Sequence, residues 1–291
     1  MIQTISQKPL AAVGMFSLAI LLIAVVDTTC KAFTDELHAF QLVWGYFLGV
    51  AITVTGYFTA RRQRLGVLFA TRRRALQICR PALLAGSVST LFLGLTYLPI
   101  AEVTVIGFTA PLFITALSVV ILKERVGPHR WAAVAVGLGG VLIVVQPGGA
   151  LWHWYSIMPL VSSMFFAMFQ IVTRMLARTE SSDTTLVHTG LGALFWTSLL
   201  APLVWTQPSA HHWLVFLGTG FLGAFAHMLV IAAFRRGEAS LIAPFNYTKL
   251  VWVVMLGYLV FGDIPHPETW IGSAVIVAAG CYVLYRERRR Q

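Results

Sequence analysis

Long apolar stretches recur along the chain, separated by a few polar residues each. A spanning helix needs roughly 20 predominantly apolar residues. The pattern predicts such helices at 13–33, 38–59, 75–97, 101–122, 131–147, 154–177, 184–205, 213–234, 240–262 and 269–285. The connections leave no room for a soluble domain. One stretch departs from the pattern. Ser240 to Asp263, SLIAPFNYTKLVWVVMLGYLVFGD, carries Lys249 near its middle, with Asn246 one turn before it and Trp252 one turn after. An ammonium at that depth costs at least about 2.5 kcal/mol on insertion scales, so it faces a cavity or a partner. Pro244 just upstream removes a backbone donor and loosens the helix there, a place for a hinge or gate.

Composition agrees with the pattern. Of 291 residues, 58% are hydrophobic and 11% charged, against about 25% charged in a soluble domain; the mean hydropathy is +0.79. The class is an all-α polytopic membrane protein. The first stretch is a poor signal peptide, because it is long and holds Asp27 and Lys31 toward its end. Cys30, Cys79 and Cys281 are an odd number and supply no disulfide framework, so they read as packing residues.

A net charge of +10 could suggest nucleic acid, but the basic runs Arg61-Arg62-Gln63-Arg64 and Arg72-Arg73-Arg74 flank the spans. They read as topology signals that also attract anionic lipid. With the N-terminus inside, every Lys and Arg except Lys31 and Lys249 falls on the cytoplasmic side. The opposite connections, TDELH, QPGGALWHW, TQPSAHH and GDIPHPE, contain no lysine or arginine. The positive-inside rule thus favours ten spans with both termini cytoplasmic. Arg80 and Arg174, about a turn inside their spans, are expected to snorkel to that surface.

The halves repeat. GFTAPLFITALSVVILKERVGPHRWAAVAVGLGGVLIVV (107–145) runs parallel to NYTKLVWVVMLGYLVFGDIPHPETWIGSAVIVAAGCYVL (246–284). A shift of 139 pairs Phe108 with Tyr247, Thr109 with Thr248, Glu124 with Asp263, Pro128 with Pro267 and Trp131 with Trp270; a shift of 143 pairs Asp27 with Gln170 and Lys31 with Arg174. Residues 1–150 and 151–291 are therefore read as two five-helix units. An odd number of spans per unit inverts the second, and inverted repeats imply a substrate site at their interface near the midplane.

These features resemble the EamA domains of the drug/metabolite transporter superfamily, chiefly through FTAPLFITALSVVILKE and GEASLIAPFNYTKLVWVVMLGYLVFGD. The second stretch, with HAFQLVWGYF (38–47), is similar to the YddG-type amino-acid exporters. The resemblance implies two inverted repeats around a central cavity, and export of amino acids across a bacterial inner membrane by alternating access. The chain departs from the pattern in two places: Asp263 stands where many relatives carry glutamate, and Tyr46 where related second helices often have arginine.

Candidate chemistry lies inside the spans. Asn246, Lys249 and Trp252 share neighbouring parts of one helix face, with Tyr247 on its flank. Lys249 would attract a carboxylate, Asn246 would add hydrogen bonds and the aromatics would pack a side chain; the alternative is a structural lysine paired to a buried acid. Asp27, the one acid placed well inside a span, could meet an ammonium, carry a proton or neutralise Lys31 one turn on. Trp44 beside Gln41 could wall a cavity or pack helices, and Gln170 is weighed alike. Phe108 and Pro111 are the first-half neighbours of the lysine site, Pro111 a candidate gate or hinge. His188 and His227 could relay protons or serve as helix contacts. The glycines read as close-packing positions.

No phosphate loop appears and the histidines and cysteines lack metal-ligand spacing, His211-His212 being placed in a loop, so no cofactor or metal is expected. The partners expected are a small-molecule substrate and lipid, with the chain as a monomer. The leading reading is a secondary exporter of small metabolites, amino acids first. Alternatives are a broad exporter of aromatic cations, a membrane enzyme on lipid-linked substrates, and a structural or receptor protein.

Overall fold

A computed structural model describes residues 9–62, 70–123, 127–146, 153–176, 179–234, 236 and 242–288. Glu124 and the first two residues of the 240–263 stretch lie outside them. The described helices are α1 (Pro9–Ala32), α2 (Ala39–Ala60), α3 (Arg74–Tyr97), α4 (Ile100–Gly107), α5 (Ala110–Ile121), α6 (Pro128–Val145), α7 (Ile157–Leu176), α8 (Ser182–Ser198), α9 (Ala210–Phe234), α10 (Thr248–Phe261) and α11 (Pro267–Arg288). Short 3₁₀ segments precede α7, follow α8 and precede α10. Among the described residues six stretches are long and apolar enough to cross a membrane: Leu10–Ala32, Ala39–Ala60, Arg74–Tyr97, Ile100–Ile121, Trp154–Leu176 and Ala210–Phe234. Trp131–Val145 and Phe245–Phe261 are shorter apolar helices.

Local chemistry sets the ends. At α2 the His38 Nδ1 accepts from Phe40 N–H at 3.2 Å, and at α8 the Ser181 hydroxyl oxygen accepts from Thr184 N–H at 3.0 Å, each satisfying an orphan donor of a first turn. α10 stops at Gly262, whose φ of 71° is left-handed and suits a residue without a Cβ. The Gly262 and Asp263 amides then bond back to Tyr258 and Gly257 carbonyls, a closing turn that places Asp263.

Helices from the two halves contact one another in matched pairs. α1 packs on α9 as α7 packs on α3; α2 on α9 as α8 on α3; α5 on α7 as α10 on α1. α6 and α11, the last helices of the halves, pack on each other. Among the described residues the largest apolar core joins α1 through α3 to α8, α9 and α10, and smaller clusters lie around Phe108 and around Phe16. Where α2 crosses α9, a Cβ on Gly49 would lie 2.6 Å from the Phe216 carbonyl oxygen and 2.9 Å from the Gly220 Cα, so only small residues permit this approach. Gly49→Val is therefore expected to destabilise the protein by about 1–3 kcal/mol, the usual range for overpacking, read as a lowered thermal unfolding midpoint in detergent.

Candidate functional site

Two interrupted helices meet at the centre. α4 ends at Gly107 and α5 begins at Ala110, with Pro111 in its first turn. Proline supplies no N–H to the preceding turn. Polar side chains satisfy the carbonyls there: Thr109 Oγ1 donates to Ile106 O at 2.7 Å, and Ser163 Oγ of α7 donates to Gly107 O at 3.3 Å. In the other half a 3₁₀ segment, Ala243–Tyr247, holds Pro244 in its first turn and leads into α10, where Thr248 Oγ1 donates to Phe245 O at 2.6 Å. The breaks face each other through Phe108 and Tyr247, whose rings meet edge-on at 5.1 Å. The Tyr247 hydroxyl lies against Gly280 of α11, in space a Cβ would fill.

Lys249 is the second residue of α10. Its Nζ pairs with Asp27 Oδ2 of α1 at 2.7 Å, the side chains being 17% and 9% exposed. Lys31, one turn after Asp27, reaches Asp263 Oδ2 at 3.2 Å and Leu98 O at 3.0 Å, and stands over the Phe261 ring. Asp27 therefore does not neutralise Lys31. Bonding across to the other half leaves none of the four charges unpaired, whereas an internal α1 pair would strand Lys249 in apolar surroundings. Asn246 is half-buried on the 3₁₀ segment. Trp252 joins two apolar clusters, and its buried indole N–H has no acceptor among the described residues.

The other expected residues lie away from this pair. Trp44 donates to Ser198 Oγ at 2.9 Å and packs edge-on against Trp205, Trp213 and Phe216. Fully buried Gln41 bonds the backbone and hydroxyl of Thr206. Both thus tie α2 to α8, α9 and the loop between them, at the end opposite the arginines. At that end also lies a pocket of about 350 Å³, lined by Thr34, Asp35, Glu36, His38, Tyr97 and Thr206 among others. His211 and His212 fall in the first turn of α9 rather than in a loop, and His212 Nε2 lies 2.8 Å from Glu36 Oε2. Toward the arginine-bearing end, Gln170 is exposed on α7 and His227 on α9, while His188 Nδ1 contacts Thr184 O of its own helix at 2.9 Å.

Two charged residues depart from expectation. Glu102, in the first turn of α4, is 1% exposed, so Asp27 is not the sole buried acid. Thr269 Oγ1 donates to its Oε1 at 3.1 Å, and Oε2 has no partner among the described residues. Its place at the edge of the apolar stretch concealed it; the α4–α11 contact buries it. Arg80 is buried rather than snorkelling. Its Nε donates to Thr173 Oγ1 at 2.7 Å, its Nη1 to Thr189 Oγ1 and to Thr185 O, and the guanidinium stacks on the Phe169 ring at 4.3 Å. Threonines one turn apart on α8 fit that fork, which holds the side chain inward.

Among the described residues the only regular structure is helical, and paired buried charges at two broken helices suit a membrane carrier. Residues 10–146 and 153–286 each match the EamA-like transporter family. The chain belongs to that family, within the drug/metabolite transporter superfamily. It is similar to a riboflavin transporter of Vibrio cholerae, 31% identical over 66% of this chain and 65% of that protein. It is also similar to an S-adenosylmethionine uptake transporter of Rickettsia conorii, 24% identical over 96% and 94%, and to a pseudopaline exporter of Pseudomonas aeruginosa, 23% identical over 91% and 93%. A crystal structure shares the fold, with a TM-score of 0.66 over 96% of this chain and 98% of its own, at 20% identity. The relatives are named as transporters of small metabolites, and none of the three as an amino-acid exporter.

Removing one member of a buried ion pair strands the other, typically at about 3–5 kcal/mol. Asp27→Leu and Lys249→Met are each expected to destabilise the protein by about that amount, and the double variant by less than either alone. Thermal unfolding of the four proteins as a double-mutant cycle measures this.

Proposed function

We propose that this chain is a secondary transporter that moves amino acids and similar small zwitterions outward across the bacterial inner membrane by alternating access. In this reading it has ten spans in two inverted halves, with both termini cytoplasmic. The observation that carries it is the Lys249–Asp27 pair between the broken helices. A zwitterion can exchange with such a pair without stranding a charge: its carboxylate takes Lys249, its ammonium takes Asp27. Asn246 adds a hydrogen bond, while Phe108, Tyr247 and Trp252 receive the side chain. Gln170 lies on the path toward the basic end, Trp44 helps to close the opposite end, and Pro111 and Pro244 mark where the broken helices bend. Asp27 is placed to carry a proton when no ammonium is bound, with His227 and His188 further toward the basic end.

The family relatives support a small organic solute. S-adenosylmethionine combines an α-amino acid group with an aromatic base, which matches a charge pair beside aromatic rings. The relatives include both an uptake transporter and an exporter, so the outward direction rests on the resemblance to YddG-type exporters.

Purified protein in lipid vesicles is expected to exchange labelled phenylalanine well above empty vesicles. Lys249→Ala should lower this at least about tenfold, the order of one lost charge-assisted contact. No amino-acid movement above empty vesicles sinks the proposal. The aromatic lining favours one second reading, an exporter of flat aromatic metabolites. It predicts that riboflavin or an aromatic cation moves, that Lys249→Ala leaves this intact, and that Phe108→Ala or Tyr247→Ala abolishes it.

A further inference from the structure

The helices around the centre separate toward the arginine-bearing end. Seven residues are two helical turns, and return to within about 20° of the same face. On α2, Gly49 is packed against α9, but Gly56 is exposed and a Cβ there would meet nothing within 4 Å. On α9, Gly220 is packed against α2, but His227 is exposed. On α7, Ser163 bonds the end of α4, but Gln170 is exposed. In each case the packed residue lies nearer the centre and the exposed one nearer the basic end. A crevice therefore opens there between α2, α7 and α9.

Arg80 stands beside it. Its Nε bonds Thr173 of α7, about one turn from the exposed Gln170. Among the described residues no carboxylate pairs with Arg80: the ion pairs join Asp27 to Lys249, Asp263 to Lys31 and Glu36 to His212. The bonds to Arg80 come from hydroxyls and a carbonyl, and from Nε and Nη1 alone. Nη2 takes no partner among the described residues. A cation held in apolar surroundings by neutral groups, with one nitrogen open, is a strong site for an anion.

We propose that Arg80 is the anion-binding residue of a second subsite, at the basic end of this crevice, which takes the carboxylate of the solute before it reaches the Lys249–Asp27 pair. The choice of a carboxylate rests on the transport reading above; the anion site does not. Thr173 and Thr189 are its positioning residues. They hold the fork in place so that Nη2 is presented to the solute. The division of labour has a reason. Lys249 is already occupied by Asp27, so an arriving carboxylate needs a free cation to hold it while the central pair opens.

The test uses the full chain with Cys30→Ser, Cys79→Ser, Cys281→Ser and Gly56→Cys, in phosphatidylcholine nanodiscs. The introduced thiol is modified with a negatively charged sulfonate methanethiosulfonate and with a positively charged trimethylammonium one, each rate normalised to that with a free thiol. The anionic reagent is expected to be favoured about tenfold, in the range of electrostatic focusing by a cleft. Arg80→Gln should bring the ratio near one, and Arg80→Lys should keep most of it. Phenylalanine should protect the thiol, and phenethylamine, which lacks the carboxylate, should not.

A ratio near one with Arg80 in place overturns the anion site, whether or not Arg80→Gln folds. So does a ratio that Arg80→Gln leaves unchanged, since Arg80 would then only brace α3, α7 and α8. If added phosphatidylglycerol abolishes the preference, the occupant is a lipid headgroup and the solute assignment falls. Equal protection by both amines also removes that assignment. Failure of phenylalanine exchange in vesicles, with the reagent preference intact, overturns the amino-acid reading and leaves the anion site standing.

Discussion

The two ion pairs that join α1 to α10 and the turn after it are the constraint on which the site depends. Asp27 and Lys31 lie one turn apart on α1, and each bonds across, to Lys249 and Asp263. Such charges in an apolar interior are tolerable only when all are matched. The matching fixes the rotation of α1 against α10 and the turn at Gly262, and it sets the central residue at the break between the 3₁₀ segment and α10. Because Lys31 also bonds Leu98 O, just before α4, the same cross-brace holds both interrupted helices at the end opposite the arginines. The aromatic group around Trp44 packs α2, α8 and α9 at that end as well. The basic end has the opposite character, with exposed Gly56, Gln170 and His227.

Much of this was legible in the chain. Apolar stretches located the helices, and the shift of 139 identified Phe108 and Tyr247 as counterparts that the fold brings into ring contact. Lys249 was conspicuous because lysine is costly at mid-span. Its partner was not legible: Asp27 lies far away in the sequence, and Lys31 offered a nearer and misleading choice. Spacing along one helix shows which side chains are neighbours, but neutralisation is settled between helices. Glu102 and Arg80 were hidden for a related reason. Both lie near the ends of apolar stretches, where a charge ordinarily reaches water. Only the packing of α4 on α11, and of α3 on α7 and α8, shows that they do not.

Trp44 shows the reverse. An indole in the middle of a span beside a glutamine suggested a cavity wall, yet the donor is taken by Ser198 and the amide of Gln41 by Thr206. A polar group on an apolar helix is equally suited to lining a space and to joining two helices. Its type alone does not separate these, because in both cases it needs a partner in a water-poor setting. What distinguishes the sites is the satisfaction of each atom. Both polar atoms of the Gln41 amide are bonded to Thr206, whereas the Trp252 N–H, the Glu102 Oε2 and the Arg80 Nη2 have no partner among the described residues.

The symmetry of the halves separates scaffold from recognition. Matched contacts, such as α1 on α9 and α7 on α3, are what two interchangeable arrangements require. At the centre the match fails. The counterpart of Lys249 is Ala110 and that of Asp27 is Gln170, so the mate of the charged pair is neutral. Lys31 and Asp263, by contrast, have charged counterparts in Arg174 and Glu124. A carrier built on inverted halves needs comparable closures at its two ends, but it needs one solute site, and a solute with distinct ends is read by an asymmetric centre. The unmatched charges lie at the meeting of the broken helices, where the halves differ, and the Lys31–Asp263 pair lies toward one end, where charged counterparts exist in both halves.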